Sequence, residues 1–123
     1  MGYMVRHSVI VVGPQRDLHV FKFGIEDVWG NVLRLAEKHT CTTLVSPVMP
    51  SLINREGAFF IAPDGSKEGW SHSDVGDEFR DAVIHYLEKL REKDRSTCFK
   101  WVEVQFADDE GVSKVTRHSE AEE

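Results

Sequence analysis

The chain has 123 residues, enough for one hydrophobic core and too few for two ordinary domains. Apolar residues at 41% and charged residues at 29% exclude a disordered composition, and no apolar run approaches the roughly 20 residues that cross a bilayer. Fifteen basic against twenty-one acidic residues leave a net charge of −6, concentrated in 62–123 where nine basic face sixteen acidic groups, which argues against nucleic-acid binding by phosphate neutralisation.

In chain order, "YMVRHSVIVV" (3–12) alternates and is rich in β-branched residues, so it is the first predicted strand, ended by Gly13 and Pro14. The same apolar stretch lacks a small-residue cleavage site and is read as structure, not as a signal peptide. From Asp17 the period changes to three and four, with Leu18, Phe21, Ile25, Val28, Trp29, Val32, Leu35 and Ala36 on one helical face to about Lys38. Gly24 and Gly30 sit inside this helix and weaken it by about 1 kcal/mol each relative to alanine.

"TTLVSPV" reads as a strand interrupted at Pro47, hence an edge or a bulge, and "AFFIA" as its short apolar hairpin partner after a kinked connection. "PDGS" (63–66) is a turn. Ser73 is the expected N-cap of the best amphipathic helix in the chain, which carries Val75, Phe79, Ala82, Val83, Tyr86, Leu87 and Leu90 as its stripe. "FKWVEVQF" (99–106) alternates again, "ADDEG" turns, and 112–118 returns as a short extra strand. The two cysteines, Cys41 and Cys98, are too few for a disulfide framework and read as a reduced pair. The expected fold is α+β, a ferredoxin-like β-α-β-β-α-β sandwich with two helices on one face of an antiparallel sheet. It forms one domain over 1–118, followed by an acidic disordered tail over 119–123.

Chemistry could gather in two places. The loop "PDGSKEGWSHSD" supplies Asp64, Lys67, Trp70, His72 and Asp74. His72, Ser73 and Asp74 suggest nucleophile activation, but adjacent residues seldom reach triad geometry, and capping explains the same residues. His72, Asp74 and Asp77 fall short of the recognisable ligand spacing of a zinc site, so no metal and no cofactor is expected. "DGSKEG" has the ingredients of a phosphate cradle without its spacing, and Trp70 could stack on a base or close over the core. The second place is the last strand and its turn: Trp101, Glu103 and Gln105, with Asp108, Asp109 and Glu110 beyond. If the helices cover Val102, Val104 and Phe106, then Trp101, Glu103 and Gln105 lie on the open face of the sheet, as a binding surface or a dimer interface.

The stretch from "FFIAPDGSKEGW" through the acidic-capped helix to "WVEVQFADDE" resembles a group of small uncharacterised proteins of bacteriophages and prophages. Its motifs are an "APDGSKEGW" turn and a "WVEVQ(Y/F)GDDE" strand-turn. Pro63 to Trp70 match the first motif; Trp101 to Gln105 and Asp108 to Glu110 match the second, with Ala107 where glycine is commoner. The similarity covers about the C-terminal half, and the N-terminal helix has no counterpart in it. It implies a phage context and carries no activity of its own.

Two function classes follow. The leading expectation is a non-enzymatic accessory or interaction protein in the host cytoplasm. It would bind a host or phage protein through its acidic half or its open sheet face, with a homodimer across that face as a further form. The rival is a small-molecule-binding, nucleotide-binding or hydrolytic protein that uses the 63–74 loop. No membrane contact is expected.

Overall fold

In the computed structural model, which describes residues 6–32, 44–63, 71–93, 99–106 and 111–120, each predicted element finds a counterpart. They follow as β1 (Arg6–Pro14), α1 (Gln15–Val32), β2 (Met49–Pro50), β3 (Glu56–Ile61), α2 (Ser71–Lys93), β4 (Lys100–Phe106) and β5 (Lys114–His118). The five strands form one open antiparallel sheet in the order β2-β3-β1-β4-β5. The architecture is α+β, and the predicted extra strand is β5.

β1 is central because its alternation supplies two apolar faces. Val9 and Val11 are fully buried, while Ile10 and Val12 point the other way and remain exposed. The strand runs two residues further than expected, through Gly13 and Pro14, which pair with Gly57 and Glu56. A proline is tolerated at this end of the ladder, where α1 begins at the next residue. Gln15 fixes the corner: its backbone N–H donates to Arg55 O at 2.9 Å and its Nε2 to Glu56 O at 3.0 Å.

The chain over 44–50 runs antiparallel to β3, and Pro47 divides its pairing. Before the proline, Val45 bridges Ile61, and Ser46 both donates to Phe60 O and accepts from Phe60 N. After it, Met49 and Pro50 pair with Ala58 and Gly57. A Cβ on Gly57 would stand 2.8 Å from Met49 O, so glycine is what lets β2 close on β3. The hairpin turns on Asn54 and Arg55, at φ 62° and 54°. Asparagine suits the left-handed region and arginine does not. Arg55→Gly is therefore expected to stabilise the fold by about 0.5–1 kcal/mol, read as a higher urea midpoint with an unchanged m-value.

The core lies between the sheet and the two helices. Leu18, Phe21 and Ile25 of α1 and Phe79, Val83, Ile84 and Leu87 of α2 close over Val9, Val11, Phe59 and Ile61. Phe99, just before β4, packs a tilted ring on Phe21 with centroids 4.5 Å apart. Burying each such side chain contributes roughly 1.5–3 kcal/mol. One expectation is corrected: α2 begins at Ser71, which places Ser73 in its first turn instead of at its cap. After β5 the chain continues alongside β4: Ser119 N donates to Trp101 O at 3.0 Å, Trp101 N donates to Ser119 Oγ at 3.1 Å, and Glu120 pairs with Lys100.

Candidate functional site

Strand register decides which residues share a face. Val11 pairs with Trp101, Val9 with Glu103 and His7 with Gln105, so these three β4 residues lie together, as their spacing predicts. They lie on the helix-covered side. Trp101 and Glu103 are each 3% exposed and Gln105 is half-buried. The expected placement of Trp101, Glu103 and Gln105 on the open face is thereby reversed, because Val9 and Val11 face the helices and β4 must follow β1. Among the described residues the Trp101 indole N–H has no acceptor.

Glu103 is a carboxylate in the inner layer, and the residues around it explain how it stays there. Arg80 of α2 donates through Nε to Oε2 at 2.6 Å. Arg117 of β5 donates through Nε to Oε1 and through Nη2 to Oε2, both at 2.8 Å. Thr116 Oγ1 donates to Oε1 at 2.7 Å. A bulge between Glu103 and Val104 shifts the β4–β5 register, so that both Thr116 and Arg117 reach the same carboxylate. Burial alone would raise the Glu103 pKa; the hydrogen bonds from Arg117, Thr116 and Arg80 outweigh it and hold the group at about 2. Arg80 and Arg117 also pair with Asp77 and Asp81, each at 2.7 Å. Every oxygen of Glu103 is engaged, so the cluster can fasten α2, β4 and β5 together and has no lone pair turned to a substrate.

The other face of the sheet is different in kind. Ile10, Val12, Phe60, Phe106, Met49 and Val115 stand there in water, with Ile10 38% and Phe60 44% exposed. A cleft of about 510 Å³ runs along it, lined almost entirely by apolar side chains, with Arg6 and Ser8 at one end. Ser8 is committed, its hydroxyl donating to Ile61 O at 2.7 Å. Pro63 and Phe106 line the same cleft, and from them the chain enters 64–70 and 107–110.

Of the residues singled out from sequence, Asp64, Lys67, Trp70, Asp108, Asp109 and Glu110 lie outside the described residues. His72 and Asp74 lie in the first turn of α2. Among the described residues no group of three or more His, Cys, Asp or Glu could hold a metal ion, and no helix is long and apolar enough to cross a membrane. The open-face residues were not anticipated. Their signal is that β1 carries Ile10 and Val12 opposite Val9 and Val11, and that β4 carries Val102, Val104 and Phe106 on one face, whereas the solvated face of an antiparallel sheet is normally polar. The chain matches no protein-family model, no curated protein and no solved structure.

Proposed function

We propose that this chain is a non-enzymatic interaction protein whose working surface is the open face of the sheet. The observation that carries this reading is the row of large apolar side chains left in water on one continuous surface, from Met49 through Phe60 and Ile10 to Phe106. Contiguous apolar patches of that kind mark contact sites. The acidic half is the weaker candidate surface, because Asp77 and Asp81 are tied to Arg80 and Arg117 and offer less free charge than the composition suggests.

A phage accessory role is supported by the motif resemblance at 63–70 and 101–110. The finer, ferredoxin-like assignment is supported by the element order and by a β2-β3-β1-β4 sheet with β5 added outside β4. The small-ligand reading of the 63–74 loop has one observation in its favour, Pro63 in the wall of the cleft.

The test is the mass of every complex the chain forms, alone and in host extract. Phe60→Lys is expected to abolish the protein complex, and Glu88→Lys, on the exposed side of α2, to leave it intact. Binding should persist in about 0.5 M salt, where exposed charges are screened within a few ångström. A complex that salt dissolves and Phe60→Lys spares would move the surface to the acidic half. A small-molecule adduct on the 14.0 kDa chain in native mass spectrometry would favour the loop.

A further inference from the structure

We propose that the open face is covered by a second copy of this chain. The two sheets stack face to face with strands running in opposite directions, about a two-fold axis that crosses β1 at Ile10. The inference rests on the open-face reading and names the occupant.

Edge pairing is the other route by which a sheet binds its own kind, and the edge next to β3 is poorly suited to it. β2 has two residues, one of them Pro50, and Pro47 removes another backbone donor just before it. The face is the better surface in size. Strands of nine, two, six, seven and five residues, at about 3.4 Å per residue and 4.8 Å spacing, give a footprint of roughly 470 Å² per copy, or about 940 Å² for the pair before side-chain relief is added. Side-chain relief brings that to about the 1,000 Å² at which a specific interface begins.

Charge selects the orientation. Register places Arg6 on the open face at one end of β1, with the same parity as Ile10. Glu56 lies on that face at the other end, across from Pro14 and in step with Ala58 and Phe60. Among the described residues neither Arg6 nor Glu56 has an ion-pair partner. Lys100 shares the Glu56 end but is neutralised by Glu120 at 3.1 Å. Ile10 is the midpoint between Arg6 and Pro14. A stack turned about Ile10 sets each Arg6 near the partner's Glu56, twice by symmetry. A stack with strands in the same direction would set Arg6 over Arg6.

The experiment is sedimentation velocity on the full chain from about 1 to 100 µM, the affinity range of a small interface. The expected mass is twice 14.0 kDa. Phe60→Lys, with an unchanged melting curve, should give a monomer. Arg6→Glu and Glu56→Arg should each weaken the dimer about 10-fold, because each breaks two symmetric pairs, and the double variant should recover most of that loss. A double variant no tighter than the singles overturns the antiparallel stack. A monomeric wild type overturns self-pairing while leaving the open face available to a different partner. A dimer that Phe60→Lys does not dissolve overturns both.

Discussion

Glu103→Ala is expected to destabilise the protein by about 3 kcal/mol, the low end of the range for removing one partner from a buried ion pair. Arg80 is left almost wholly covered without its main acceptor, with a side chain 13% exposed; Arg117, at 39%, can turn to water and recovers part of the loss. Thr116 loses its shorter acceptor and keeps only the backbone oxygen of residue 103, at 3.2 Å, and the side-chain link from β5 through β4 to α2 is cut. The fraying should be local, so amides of β5 are expected to exchange faster than those of β1 and β3.

The same group sets an acid limb. The Glu103 carboxyl titrates near 4.5 when unfolded and at about 2 when folded, so the folded state binds its proton less readily. A depressed carboxylate contributes stability that is fully present above the unfolded pKa and disappears as pH falls through 4.5 toward 2. The wild type is expected to lose about 3 kcal/mol over that interval from this group alone. In urea melts at a series of pH values, Glu103→Ala should start lower at pH 7 and fall less steeply below pH 5. Parallel acid limbs for the two proteins would show that the three donors do not hold the charge.

Much of the layer structure was legible because burial imposes period on sequence. Leu18, Phe21 and Ile25 at steps of three and four, and Phe79, Val83 and Leu87 at steps of four, are core residues as their spacing requires. Pro47 interrupts its strand because a proline cannot donate to the ladder. What spacing could not decide is which face of β4 turns inward. Val102, Val104 and Phe106 look more like a core row than Trp101, Glu103 and Gln105 do, since the second row contains a charge. The pairing of Val11 with Trp101 overrides that preference, and Arg80 and Arg117 converge on Glu103 from elements 23 and 14 residues away. A long-range network of this kind leaves no local pattern. The open face stays undecided in the sequence for the same reason: its apolar row could equally have been the core row.

Gly24→Ala is the second large effect, and here the structure reverses the sign expected from sequence. Alanine at a mid-helix glycine ordinarily gains about 1 kcal/mol. Gly24, however, lies against Tyr86 of α2, and a Cβ built on it would run into the tyrosine hydroxyl and ring. Tyr86 is partly buried against the core, so moving it aside uncovers apolar surface. The expected result is a loss of about 1–3 kcal/mol, from overpacking where the two helices meet. Tyr86→Ala should cost stability by itself, yet the Gly24→Ala/Tyr86→Ala pair should be more stable than the sum of the two single losses predicts, because the new methyl occupies vacated space. Additive losses would mean that the overlap is relieved elsewhere, and a gain for Gly24→Ala would mean that the helices stand further apart. Neither substitution touches the open face, so dimer affinity should remain that of the wild type while stability falls. That separation tests the proposed division of labour between the two faces, in which the helices close the inner face and the outer one takes a partner.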